Sequence, residues 1–108
     1  MDEKRLKQVA AAVAAAVPCR RILVFGSRAR GDFHEGSDLN LLIVAAARPP
    51  LPPDSLERAR EVKRRVDLPD VDLDPHVFTE AELKTLRQKE DPQILAMLAE
   101  GRVVYEQQ

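Results

Sequence analysis

The chain has 108 residues, which is enough for one domain, residues 1–108, and little else. Its 17 basic and 18 acidic residues leave a net charge of −1, so no basic excess favours nucleic acid. The single cysteine, Cys19, excludes an intramolecular disulfide and a multi-thiolate zinc site. Nothing resembles a signal peptide and no run approaches the roughly 20 apolar residues of a membrane span, so we expect a cytoplasmic protein.

The first part of the chain predicts one long helix and two strands. Residues 2–17 carry apolar side chains at the spacing of an amphipathic helix, which Pro18 ends. Residues 21–25 form a short apolar run that a Gly-Ser pair stops, which is typical of a buried strand. Residues 28–37 are polar and too many for a tight turn, so we expect a short helix there. Residues 38–45 predict the second strand.

The middle of the chain predicts a loop, a helix and a third strand. Residues 46–53 include four prolines and cannot pair in a sheet. The apolar spacing that follows predicts an amphipathic helix capped by Asp54 or Ser55. Residues 71–78 predict a third strand, in which Pro75 indicates a sheet edge, a bulge or an early start.

The end of the chain predicts two short helices and a last strand. Residues 79–82 form a capping-box pattern that opens the first helix. Asp91 and Pro92 open the second, which Gly101 ends. Residues 102–106 predict a fourth strand. The elements together predict a single α/β (α+β) domain with about four strands and four helices.

The segment that follows the first strand predicts an anion-binding corner. Gly26 and Ser27 leave a buried strand and begin a helix, where backbone N–H groups and the serine hydroxyl face an anion. Glycine lets a phosphate approach the backbone closely. Arg28 and Arg30 follow at once and are placed to neutralise a polyphosphate.

Oxygen-bearing side chains recur at strand spacing on two predicted strands. Asp38 and Asn40 are two residues apart and therefore point to the same face, and Asp72 and Asp74 repeat the arrangement. If the strands are neighbours, three or four such side chains meet on one surface. Magnesium is usually held by one or two carboxylates together with substrate phosphates. A phosphate corner beside such a cluster is suited to phosphoryl or nucleotidyl transfer.

The spacing of these residues resembles that of a known superfamily. The chain reads Gly-Ser, ten residues, then Asp-Leu-Asn, which resembles the Gly-Ser, ten residues, Asp-x-Asp signature of the DNA polymerase beta-like nucleotidyltransferases. The stretches GSRARG and SDLNLLIV are most similar to the minimal nucleotidyltransferases of bacteria and archaea. The resemblance runs from the opening helix to residues 103–106. It implies a mixed β-sheet flanked by helices, with the active site at one end.

The resemblance also implies roles for individual residues. The Gly-Ser pair would hold the phosphates of an NTP, with ATP expected, while Asp38 and Asn40 would bind Mg²⁺ or Mn²⁺. A third carboxylate on a later strand would complete the site and help to deprotonate the attacking hydroxyl. We expect Asp74 to be that carboxylate, with Asp72 as the alternative. Strand spacing puts His76 on the face of Asp74, but we expect it to have an ordinary structural place outside the site, and His34 is predicted to be a surface residue.

Asn40 departs from the family pattern, which has a carboxylate at this position. A neutral amide cannot bridge two cations as a charged group, so metal affinity should fall. The transfer rate should also fall, by a factor on the order of a thousand. Two functions stay open. One is transfer of NMP to a hydroxyl acceptor, such as a helical HEPN-type protein. The other is an antitoxin-like module that binds a nucleotide or that partner without turnover.

Overall fold

The computed structural model describes residues 3–26, 29, 31, 38–46 and 52–107. Across these ranges the chain forms four helices and four strands, as the sequence predicts. They are, in chain order, α1 (Glu3–Ala16), β1 (Cys19–Phe25), β2 (Leu39–Ala45), α2 (Ser55–Arg65), β3 (Leu73–Thr79), α3 (Glu80–Gln88), α4 (Pro92–Glu100) and β4 (Arg102–Glu106). Most of the short helix expected within 28–37, with His34, lies outside the described residues, as does most of the proline-rich loop. No helix in the described part of the chain is long and apolar enough to cross a membrane.

The strands form one mixed sheet in the order β3-β2-β1-β4, which confirms the expected fold class. β1 pairs antiparallel with β2 and with β4, whereas β2 pairs parallel with β3. A parallel pair needs a crossover connection, and α2 lies in that connection. β3 is an edge strand, and this is why it accommodates Pro75, which has no N–H to donate to a second ladder.

Three strands start one or two residues away from the predicted position, and β3 also ends one residue later, at Thr79. β1 begins two residues earlier because Cys19 pairs with Ala45 across the ladder. β3 begins two residues later because the N–H of Val71 donates to the carbonyl of Leu68 in a turn, at 3.0 Å. β2 begins one residue later, which leaves Asp38 immediately before the strand. Local turns and pairing partners, which the apolar pattern does not record, set these ends.

The predicted helix caps are present. Asp54 caps α2 by accepting from the N–H of Leu56 at 2.9 Å, and Asp91 caps α4 by accepting from the N–H of Ile94 at 3.0 Å. Each cap satisfies an amide that has no partner inside its helix. Gly101 follows α4, as predicted.

The sheet separates two layers of helices. α1 and α2 pack on one face, and α3 and α4 pack on the other. Successive residues of the central strand β2 point alternately to the two faces of the sheet. Leu41 and Ile43 lie in the core on the α1 and α2 side, and Leu42 and Val44 lie in the core on the α3 and α4 side. Asn40 has the same parity as Leu42, so its side chain lies on the face that α3 and α4 cover farther along the strand.

Arg58 of α2 is buried, with 7% of its surface exposed, and joins three segments. Its Nε donates to the carbonyl of Pro52 at 2.6 Å and its Nη2 to the carbonyl of Pro53 at 3.1 Å. Its Nη1 lies 2.5 Å from Oε1 of Glu82, which also accepts from the N–H of Thr79 in the predicted capping box. Arg58 therefore fixes α2 to the loop before it and to the junction of β3 and α3.

We expect Arg58→Ala to lower the free energy of unfolding by about 3 kcal/mol, because Glu82 and two carbonyls lose a buried donor. Urea unfolding at neutral pH measures this loss. Arg60→Ala is the control, since the Arg60 side chain is 63% exposed and pairs with Glu57 only at the surface. The control should lose less than about 1 kcal/mol. Equal losses in the two variants would contradict a structural role for the Arg58 contacts.

Candidate active site

Gly26 forms the corner at which the chain leaves β1. Its φ of 77° lies in the left-handed region that favours glycine. Its carbonyl accepts from the N–H of Ala29, which is itself helical, at 3.0 Å. This agrees with the predicted strand-to-helix corner. The other predicted phosphate ligands, Ser27, Arg28 and Arg30, lie outside the described residues.

The parallel register of β2 and β3 brings the predicted metal ligands together. Asn40 pairs with Asp74 across the ladder, on neighbouring strands about 4.8 Å apart. One residue earlier, the N–H of Leu39 donates to the carbonyl of Asp72 at 2.8 Å. Asp38 and Asp72 each precede the Asn40–Asp74 pair by two residues. The four oxygen-bearing side chains therefore form two adjacent rows at one end of the sheet.

The carboxylates in these rows repel one another. A hydrogen bond between the side chains of Asp38 and Asp72, followed by the negative charges of Asp72 and Asp74, raises the pKa of Asp38 above its ordinary 3.8. Lys63 of α2 offsets part of this rise. Two carboxyl groups in contact need a shared proton or a cation between them. The donor set therefore fits a divalent cation, which would take the place of that proton.

The protein side chains alone do not complete a metal site in the described ranges. There, no three histidine, cysteine, aspartate or glutamate side chains are gathered closely enough to hold a metal ion. Magnesium keeps several ligands from water or substrate phosphate and takes only one or two carboxylates. The arrangement is thus one in which a bound triphosphate would supply the missing ligands.

Asn40 lies between Gly26 and the edge strand in a half-buried position. It pairs with Phe25 of β1 on one side and with Asp74 of β3 on the other. A Cβ added to Gly26 would lie 2.8 Å from the Asn40 Nδ2, so the amide packs directly on the glycine. The rings of Phe25 and His76 meet edge to face with centroids 5.3 Å apart. A neutral amide suits this enclosed position better than a charge would.

His76 contacts the proposed third carboxylate. Its Nε2 lies 3.3 Å from Oδ2 of Asp74, so the two side chains lie together on one face of β3, as strand spacing predicts. Both residues face a groove between α2 and β3, with a volume of about 320 Å³. Arg60 and Lys63 line the α2 side of the groove. Asp74 is therefore accessible from the edge of the sheet, where a second substrate has room to approach.

Sequence reasoning missed two residues of the site. Lys63 is exposed on α2, and its charge acts on Asp38. Glu100 belongs to no recognised motif, yet its Oε2 accepts from the N–H of Gly26 at 3.2 Å. Both contacts join segments that are distant in sequence, and no local spacing signals them.

Comparison with known families and structures gives one description. A model of the nucleotidyltransferase domain matches residues 6–96. No curated protein sequence matches this chain. Seven chains of solved structures match it. One is a protein from Sulfolobus solfataricus, provisionally described as a nucleotidyltransferase, with a TM-score of 0.62, 22% identity, and coverage of 97% of this chain and 80% of that one.

Two further structures are toxin–antitoxin complexes. One is a toxin–antitoxin with AMP-PNP, whose matching chain has a TM-score of 0.57 and 18% identity and covers 100% of this chain and 76% of that one. The other is a MntA-HpeT mutant with two aspartates replaced by glutamate, at a TM-score of 0.56, 18% identity and the same coverage, 100% and 76%. At these identities the likeness shows a shared fold.

We expect Gly26→Ala to lower the free energy of unfolding more than Gly31→Ala does. Both glycines have positive φ, 77° and 84°, so each alanine costs about 1–2 kcal/mol of backbone strain. At Gly26 the new Cβ meets a side chain, at 2.8 Å from Asn40, whereas none of the described residues lies within 4 Å of a Cβ at Gly31. This clash should add about 1 kcal/mol or more.

Urea unfolding of the two single variants measures the difference. Adding Asn40→Ala to Gly26→Ala should remove the extra loss, because it shortens the side chain that the new Cβ meets. Equal losses at the two glycines would show that Asn40 does not pack on Gly26.

Proposed function

Because the chain belongs to the nucleotidyltransferase domain family, we propose that it transfers NMP from a metal-bound NTP to a hydroxyl group. The hydroxyl oxygen bonds to the α-phosphorus, the bond from that phosphorus to the bridging oxygen breaks, and pyrophosphate leaves. The hydroxyl proton passes to a base of the protein. The observation that carries this proposal is the β2–β3 register, which sets Asn40 beside Asp74.

We assign the cation to Asp38, Asn40 and Asp74, with Asp72 as the alternative third carboxylate. Bound Mg²⁺ or Mn²⁺ supplies positive charge that offsets the charge of the triphosphate in the transition state. The raised pKa of Asp38, caused first by its hydrogen bond to Asp72, supports this assignment because a cation relieves the same crowding. The pairing of Asn40 with Asp74 supports Asp74 as the third ligand.

We base the remaining roles on the Gly-Ser motif of the sequence and on the described contacts of Asp74. Gly26, with Ser27, Arg28 and Arg30, holds the phosphates of the NTP. Asp74 accepts the proton of the attacking hydroxyl, and His76, 3.3 Å away, orients its carboxylate. The groove beside Asp74 admits the acceptor.

The amide at position 40 weakens this site without removing it. Asn40 still offers a carbonyl oxygen, but it brings no negative charge toward a cation. Loss of that charge compensation in the transition state costs several kcal/mol, which corresponds to a rate on the order of a thousand-fold lower. We therefore propose a slow or conditional transferase.

We propose that the acceptor is a protein and that the NTP is ATP. The groove next to Asp74 opens at the edge strand, where the hydroxyl of a second chain has access. Two structures with this fold are toxin–antitoxin complexes, and one of them carries AMP-PNP. A helical HEPN-type protein, the partner that the sequence resemblance implies, is the acceptor that we favour.

A binding module without turnover is the second candidate. The neutral Asn40 favours it, because an amide brings no negative charge toward a cation. In this case the domain holds its partner, with or without nucleotide, and inhibits by occlusion.

Transfer of α-labelled NMP, from each NTP with Mg²⁺ or Mn²⁺, onto proteins of the source-cell extract distinguishes the two candidates. Wild type, Asp38→Ala and Asn40→Asp are compared. Glu106→Ala is the matched control, because Glu106 is an exposed carboxylate on β4 opposite Arg21, at the end of β1 remote from Asn40. We expect label from wild type and the control, loss in Asp38→Ala, and a gain of at least about tenfold in Asn40→Asp.

The other outcomes are equally informative. Label from Asn40→Asp alone would indicate a fold kept for binding after its catalysis decayed. Equal label from wild type and Asp38→Ala would remove Asp38 from the site. Silence from every protein would contradict the transferase proposal and favour the binding module.

A further inference from the structure

Glu100, the last residue of α4, reaches the corner at Gly26. The N–H of Gly26 donates to Oε2 of Glu100 at 3.2 Å. This amide lies outside both ladders of β1, whose last pairs are Phe25 with Asn40 and Val24 with Arg102. The carboxylate thus binds a backbone donor that the sheet does not use.

Close packing of α4 on β1 places the backbone of Glu100 beside this corner. Gly101 follows Glu100, and a Cβ at Gly101 would lie 2.7 Å from the carbonyl oxygen of Met97 and 2.9 Å from Cδ2 of Leu23. Met97 and Leu23 are buried in the same core cluster. Only a glycine permits this approach, so the end of α4 is held against the strand that leads to Gly26.

A carboxylate oxygen on a backbone amide makes the same contact as a phosphate oxygen at a strand-to-helix corner. We propose that Glu100 weakens phosphate binding at the nucleotide site: it occupies the Gly26 amide as an internal anion until a polyphosphate displaces it. This proposal rests on the proposed function, because it places NTP phosphates at Gly26.

The displacement of Glu100 sets a minimum binding strength that a ligand must exceed. An anion that enters the corner replaces an existing charge-assisted hydrogen bond, so only its additional charge and contacts favour binding. A singly charged anion gains little, whereas a polyphosphate gains contacts along its length. Once displaced, the Glu100 carboxylate stays close and repels the bound phosphates. Glu100 therefore lowers affinity for every phosphate ligand and excludes the weakest.

The test follows the Gly26 amide by ¹H–¹⁵N NMR in wild type, Glu100→Gln and Glu106→Gln. Glu106→Gln is the matched control because it removes the same charge from an exposed residue. Glu106 lies on β4 opposite Arg21, at the end of β1 remote from Gly26. Inorganic pyrophosphate and a non-hydrolysable ATP analogue with Mg²⁺ are the probes. We expect the Gly26 resonance to shift upfield in Glu100→Gln alone, and both probes to saturate it at roughly five- to tenfold lower concentration there.

Two results would overturn the proposal. One is a Gly26 resonance that Glu100→Gln leaves unchanged, and the other is a resonance that the probes move equally, or not at all, in the three proteins. The NMP-transfer assay separates this failure from failure of the proposed function. Tighter pyrophosphate binding in Glu100→Gln without transfer by any variant would leave Glu100 as the anion of the corner and remove the transferase. NMP transfer together with identical Gly26 titrations in the three proteins would retain the transferase and remove the proposed role of Glu100.

Discussion

The parallel pairing of β2 with β3 is the constraint on which the site depends. A slip of one residue would turn a row of oxygen-bearing side chains to the opposite face and separate Asn40 from Asp74. Apolar burial on both faces of β2 fixes the register, since Leu41, Leu42 and Ile43 are all completely buried. A slip of one residue would move the β2 side chains of each core to the opposite face of the sheet. The same side chains that stabilise the domain therefore position its chemistry.

This pairing also determines the charge of the site. Carboxylates that share one end of a sheet repel one another, and the raised pKa of Asp38, caused first by its hydrogen bond to Asp72, records that repulsion. A carboxylate at position 40 would stand beside Asp74, packed against Gly26 in a half-buried place. Asn40 keeps an oxygen there without the charge. Stability of the metal-free protein and strength of metal binding are thus opposed at one residue.

Local sequence patterns predicted most of the fold but only part of the candidate site. Helical spacing, caps and apolar runs predicted the elements, and strand period predicted that Asp38 and Asn40 share a face. The pairing of Asn40 with Asp74 required the strand order, which no local pattern contains. The contact of Glu100 with Gly26 spans 74 positions and depends on how closely α4 packs on β1. Strand ends were missed for a similar reason, because turns and pairing partners set them.

The most direct test of this account is the free energy of unfolding of wild type and Asn40→Asp, measured in urea with a chelator and with Mg²⁺. Without metal, Asn40→Asp should be less stable by about 1 kcal/mol, because it sets a like charge opposite Asp74. Mg²⁺ should stabilise the variant more than wild type and close that gap. Gln107→Glu adds the same charge just after β4 and should not respond to Mg²⁺. Equal stability of wild type and Asn40→Asp without metal, or equal responses to Mg²⁺, would contradict a cation site built on this pair of strands.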